Sequence, residues 1–186
     1  AGGVGTALLH LLRLNGNWAV GVVGTAGKKD TARRAGATEV IDKSTDQLWT
    51  RARQISPSGF DIILDANGAA TLKGSYDHLS PGGRLLIYGF ASMFSHSGRK
   101  NPLKLIWYYL RTPRFNPFDL TGTNRTISGF NLIYLFDRVS LFRDIMDQLL
   151  SWDAKGLIPP MPVRVFPFEA VSLAHQAIES GRSVGK

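Results

Sequence analysis

The chain has 186 residues, 44% of them hydrophobic and 19% charged, which suffices for one sizeable core and matches the composition of an ordinary globular domain. It has no cysteine, which excludes disulfides and thiolate-ligated zinc within this stretch, and His10, His78, His96 and His175 show no metal-ligand spacing. No apolar run of about 18 residues and no charged-then-apolar leader occurs, so neither spanning nor secretion is indicated and a cytoplasmic location is expected. The net charge of +8 asks for an anionic partner, for which nucleic acid, membrane lipid and a phosphate-bearing cofactor all qualify.

The chain opens on Ala1-Gly2-Gly3-Val4-Gly5 without an initiator methionine and closes on the turn Ser183-Val184-Gly185-Lys186, as expected of a piece of a longer protein. From Gly3 to Leu14, Leu8, Leu9, Leu11 and Leu12 form a helical stripe, and Gly16 is the stop signal. Residues 18–23 are a short apolar run suited to a strand buried on both faces. The cycle then repeats, with a helix over 28–35, a strand over 39–42, a helix over 45–55, a strand over 60–65, a helix over 69–79 and a strand over 84–89. Such alternation is the signature of a parallel sheet with right-handed crossovers, so the fold class is α/β, doubly wound.

Beyond Gly89 the rhythm breaks. A basic, aromatic insertion over about 92–125 carries Pro102, Pro113 and Pro117 and few acids. Residues 125–132 then read as a strand, 141–152 as an amphipathic helix with Leu141, Phe142, Ile145, Met146, Leu149 and Leu150 on one face, 163–168 as a last short strand and 169–180 as a last helix.

Chemistry begins at the first glycines. Glycines at a strand-to-helix turn let the backbone approach a pyrophosphate, which the helix N-terminus holds through unpaired N–H groups and its positive dipole end; glycine-rich helix starts also occur for packing alone. In dinucleotide folds an acid about 20 residues further on binds the adenine ribose and favours NAD. Here the strand over 18–23 runs instead into Gly24-Thr25-Ala26-Gly27-Lys28-Lys29, which replaces a repelling carboxylate with small groups and two cations, a setting that would welcome a 2′-phosphate. The other reading makes Lys28, Lys29, Arg33 and Arg34 the solvated face of a helix.

Five blocks in order carry a family resemblance: Ala1-Gly2-Gly3-Val4-Gly5, Val22-Val23-Gly24-Thr25-Ala26-Gly27, Ala35-Gly36-Ala37-Thr38-Glu39-Val40-Ile41, Gly59-Phe60-Asp61-Ile62-Ile63-Leu64-Asp65 and Pro81-Gly82-Gly83-Arg84. Together they resemble the quinone oxidoreductase branch of the medium-chain dehydrogenase/reductase superfamily. Asn101-Pro102-Leu103-Lys104, Asn116-Pro117, Asn124-Arg125 and Ser128-Gly129-Phe130-Asn131-Leu132 are similar to one subgroup, the synaptic vesicle membrane protein homologues.

The resemblance implies a Rossmann-type doubly wound sheet, here without its first and last strands, with residues 1–186 forming an NAD(P)-binding domain and the family's N-terminal GroES-like domain absent. It implies NADPH as cofactor, zinc-independent hydride transfer to a quinone or enone, and a small-molecule substrate. Gly2, Gly3 and Val4 match the pyrophosphate loop; Gly24, Thr25, Lys28 and Lys43 match the surroundings of the 2′-phosphate, Lys43 replacing the aromatic or histidine common in relatives. Gly89, Phe90 and Ala91, with Phe130, Asn131 and Leu132, match the positions beside the nicotinamide. No catalytic residue is assigned, and Tyr88, Tyr108, Tyr109 and Tyr134 read as packing residues. Alone, the 186 residues are expected to be inactive, because the family's other cleft wall is not among them.

A second class of function stays open. Arg99, Lys100, Lys104, Arg111, Arg114 and Arg125, interleaved with Trp107, Tyr108, Tyr109, Phe115 and Phe118, suit a non-catalytic module that binds a membrane surface or a protein, peripheral to the membrane. The alternative places this segment over the cleft or at a homodimer contact. No recognised nucleic-acid motif accompanies the patch, and no nucleic-acid partner is expected.

Overall fold

The computed structural model of the chain describes residues 2–93 and 102–180. Ala1, His96, Arg99, Lys100, Asn101 and the closing turn at 183–186, named above, lie outside them.

In chain order the regular elements are α1 (Gly3–Leu14), β1 (Val20–Val23), α2 (Lys29–Ala35), β2 (Glu39–Asp42), α3 (Leu48–Ile55), β3 (Phe60–Asp65), α4 (Leu72–Asp77), β4 (Leu79–Ile87), α5 (Pro102–Arg111), α6 (Pro117–Thr123), β5 (Thr126–Gly129), α7 (Val139–Ala154) and α8 (Val171–Glu179), with short 3-10 turns between several of them. Among the described residues every strand pairing is parallel and a helix lies between each pair of consecutive strands, so the α/β class read from the alternation holds. The strands form two sheets rather than one, ordered β1-β2 and β3-β4-β5.

The chain divides into two compact units, one made of residues up to Arg51 together with those from Arg138 onward, the other of 52–137. In the first, Leu9, Ala19, Val23, Ala32, Ala35 and Ala37 make a core of mostly small side chains, joined by Leu12 and Val40. The small residues bring helix and strand close. A Cβ at Gly21 would stand 3.1 Å from the Ala37 Cβ and 3.4 Å from that of Ala32, so glycine in β1 is set by the approach of α2. The helix α2 stops at Gly36 with φ +118°, where a Cβ would meet the Arg13 Cβ at 2.6 Å and the Leu9 carbonyl at 2.8 Å. In the second unit Leu72, Leu79 and Leu85 are buried together, with Ile63, Tyr76, Ile87, Phe115 and Ile127 packed against them.

Three expectations need correction. The helix expected over 69–79 is confined to α4, and Leu79 belongs to β4, where it pairs with Phe60 and makes room for the Pro81-Gly82-Gly83 excursion before Arg84 resumes the ladder opposite Ile62. The strand expected over 125–132 stops at Gly129, and the Asn131 side chain accepts from the Ile133 amide to start a 3-10 turn over Leu132–Leu135. Residues 163–168 form no strand. Val163, Val165 and Phe168 are exposed, and Pro159, Pro160, Pro162 and Pro167 remove four ladder donors around the run.

Candidate functional site

In the first unit, a chain that leaves α1 and returns in β1 after the short connection 15–19 runs antiparallel to it. The N-terminus of α1 therefore lies at the end of the unit where β1 and β2 finish. Gly2 is the N-cap of α1 in extended conformation with no side-chain cap, and Gly3 and Val4 occupy the first turn, whose amides have no partner inside the helix. The first intrahelical bond is donated by Thr6 to the Gly2 carbonyl. The Thr6 hydroxyl is itself buried with no hydrogen-bond partner among the described residues.

Beyond β1, Gly24 leads to Thr25, the extended N-cap of the 3-10 turn Ala26–Lys28. The Lys43 amide donates to the Val23 carbonyl at 2.9 Å, which fixes Lys43, just past β2, beside the residue that precedes Gly24. A Cβ at Gly2, Gly5, Gly24 or Gly27 would meet nothing within 4 Å, so no packing among the described residues requires these glycines. This end of the unit thus combines amides without partners inside the helix, open glycines and Lys28, whose ammonium is pushed below the usual lysine range by burial. That set of donors fits a phosphate-bearing dinucleotide.

Sequence reasoning overlooked what happens to the neighbouring lysine. Asp42, the last residue of β2, is fully buried; its carboxylate accepts from the Ser44 hydroxyl and amide at 2.6 and 3.0 Å, and the Lys29 ammonium stands 3.4 Å away. The Ser44 side-chain bond above all, then the Ser44 amide, holds the Asp42 carboxyl below its ordinary range against the opposing effect of burial, with Lys29 adding to the shift. Lys29 thus serves the fold.

In the second unit the expected residues lie at the carboxyl ends of β4 and β5. Gly89, Phe90 and Ala91 follow β4, and Phe130, Asn131 and Leu132 follow β5; the Phe130 amide donates to the Ile87 carbonyl at 2.8 Å and brings the two segments side by side. Phe90, Phe130 and Leu132 are each partly exposed there. The Asn131 side chain is engaged as an N-cap. Ligands of open parallel sheets bind outside the carboxyl ends of strands.

A second feature with no obvious sequence signal is the knot around Asp65, the last residue of β3. Its buried carboxylate accepts from the amides of Asn67 and Gly68 at 2.8 and 3.0 Å, from the Thr71 hydroxyl at 2.7 Å and from the Ser75 hydroxyl at 2.7 Å. Burial first, and the Asp65 charge second, push the Tyr88 phenol above its ordinary value, so it stays neutral.

Comparison with known proteins fixes the class to which this architecture belongs. Residues 35–186 match the model of the zinc-binding dehydrogenase family, and the chain belongs to that family. Over 186 residues it is 31% identical to the human synaptic vesicle membrane protein VAT-1 homolog, covering all of this chain and 47% of that protein. Among solved structures, Escherichia coli quinone oxidoreductase complexed with NADPH superposes with a TM-score of 0.74 at 26% identity, covering all of this chain and 53% of that one. A mycobacterial protein complexed with NADPH superposes with a TM-score of 0.76 at 24% identity over the same shares. The chain spans about half the length of the curated relatives it matches. It is thus an oxidoreductase-family dinucleotide domain of the medium-chain, quinone oxidoreductase-like kind.

The family's name implies zinc, and the donor set here does not fit it. The sequence has no cysteine, and among the described residues no three His, Asp or Glu side chains come together in a way that could hold a metal ion. No helix among the described residues is long and apolar enough to cross a membrane.

Proposed function

We propose that the chain is the NADPH-binding part of an oxidoreductase that reduces a quinone or an enone by hydride transfer without zinc. The observation that carries this reading is the segment that follows β1: Gly24 to Lys29 contains no acid where a dinucleotide fold that binds NAD has one, Gly24 and Gly27 are open, and Lys28 ends the 3-10 turn there. Gly2, Gly3 and Val4 would hold the pyrophosphate through backbone amides. Thr25, Lys28 and Lys43 would hold the 2′-phosphate. Gly89, Phe90 and Ala91, with Phe130, Asn131 and Leu132, would offer the nicotinamide two backbone segments and an apolar lining. Bound NADPH supplies the hydride, and the protein supplies binding and orientation. The NADPH complexes of two solved neighbours support the reading.

The test is competition. NADPH bound to the 186-residue chain, followed by its nicotinamide fluorescence, should be displaced by 2′,5′-ADP at concentrations about tenfold lower than by 5′-ADP, a difference of about 1.4 kcal/mol. Equal displacement by both, or no NADPH binding, contradicts it.

A second reading is favoured by α5. Leu103, Ile106, Tyr109 and Leu110 are 57–75% exposed on a helix whose Arg111 guanidinium lies 4.6 Å from the Trp107 ring. That pattern supports a peripheral contact with an anionic membrane or a protein, and the same surface would serve a homodimer. Flotation with phosphatidylserine vesicles, against neutral vesicles, tests it.

A further inference from the structure

The carboxyl ends of β3 and β4 are joined by three backbone hydrogen bonds and one from a side-chain hydroxyl. The Tyr88 amide donates to the Asp65 carbonyl at 2.9 Å, the Ala91 amide to the Ala66 carbonyl at 2.9 Å and the Ser92 amide to the Asn67 carbonyl at 3.0 Å, and the Ser92 hydroxyl bonds the same Asn67 oxygen at 2.5 Å. Gly89 is packed so closely that a Cβ there would stand 2.9 Å from the Ala66 oxygen. Gly68, with φ +78°, lies directly under Phe90, leaving no room for a side chain. The segment 89–92 therefore takes its shape from 66–68.

The segment 66–68, in turn, takes its shape from one side chain. Three residues with a left-handed glycine and no strand partners have no reason to hold one conformation by themselves. The Asp65 carboxylate gives them that reason by accepting the Asn67 and Gly68 amides, and it is braced from behind by the hydroxyls of Thr71 and Ser75 at the start and inside of α4. A carboxylate is suited to the task because it only accepts, and four donors converge on it.

We propose that Asp65 is a positioning residue for the cofactor's nicotinamide end: it orders 66–68, which sets Gly89, Phe90, Ala91 and Ser92 in the shape that receives the ligand. Asp65 does not touch the ligand in this account. The inference rests on the NADPH reading above.

Its test uses the 186-residue chain, Asp65→Asn, and the double variant Thr71→Val with Ser75→Ala, which keeps the carboxylate and removes its bracing if the first variant fails to fold. NADPH affinity should fall about tenfold in each, while that of 2′,5′-ADP, which lacks the nicotinamide, stays within about twofold of the wild type. Amide exchange at Ala91 and Ser92 should accelerate by about tenfold or more, with exchange in β1 and β2 unchanged. Thr71→Ser, which retains the hydroxyl, should behave as the wild type. Parallel loss of both ligands, unchanged NADPH affinity, or unchanged exchange at Ala91 and Ser92 overturns the proposal. A wild-type chain that binds neither ligand overturns the cofactor reading instead.

Discussion

Lys29, the first residue of α2, places its ammonium 3.4 Å from the fully buried carboxylate of Asp42 at the end of β2. A buried carboxylate that loses its cation keeps its desolvation cost without the compensating attraction. Lys29→Ala should therefore lower the melting temperature by several degrees, whereas Lys29→Arg, which retains a cation, should melt near the wild type. Differential scanning calorimetry of the two variants tests whether the cation stabilises the buried Asp42 carboxylate. Equal melting temperatures would contradict that role.

The same carboxylate sets an acid limit. Ser44 above all, with help from Lys29, holds the Asp42 pKa below its ordinary value of 3.8, so the proton binds more weakly in the folded protein. Stability from this group is complete above the ordinary value and is lost as pH falls through the lower folded one. Ser44→Ala should thus show its full deficit at neutral pH and a shrinking one below pH 3.8, read from denaturant unfolding at a series of pH values. A deficit constant with pH would contradict the assignment.

His10 acts over a milder range. It is buried on α1, and desolvation, with repulsion from Arg13 second, lowers its pKa from 6.5. The folded state disfavours the cation, so stability is complete above pH 6.5 and falls as pH drops from there to the lowered value. His10→Leu should remove that slope. If the slope persists in the variant, another group is responsible.

The glycines sort into two classes. Gly36→Ala forces a side chain into a left-handed φ and into contact with Arg13 and the Leu9 carbonyl, and should cost about 2 kcal/mol or more in urea unfolding. Gly24→Ala meets nothing within 4 Å and should leave stability close to the wild type while weakening NADPH by about tenfold. A large stability loss at Gly24 would mean that packing, rather than a ligand, explains it.

Strands and helices with strong periodicity could be read directly: α1, β2 and β3 fall at the expected bounds because apolar stripes, a Gly16 stop and β-branched runs agree there. The failures have physical causes that lie outside the local pattern. Leu79 reads as the end of a helix but is drawn into β4 by pairing with Phe60, and 163–168 reads as a strand by alternation yet is surrounded by prolines and pairs with no strand among the described residues. In the proposed site, the glycines whose backbone would supply the chemistry, Gly2, Gly3 and Gly24, could be named from the sequence as candidates. It was not legible at Asp42 and Asp65, because an aspartate ending a strand looks the same in sequence whether it faces water or four donors.

The central claim is that the end of β1 is built for a 2′-phosphate. Isothermal titration of the 186-residue chain with NADPH and with NADH, repeated on Lys28→Glu, tests it most directly. The account requires NADPH to bind the wild type about tenfold or more tightly than NADH, and Lys28→Glu to abolish or reverse that preference. Equal affinities in the wild type, or a preference for NADH that Lys28→Glu leaves unchanged, would contradict it.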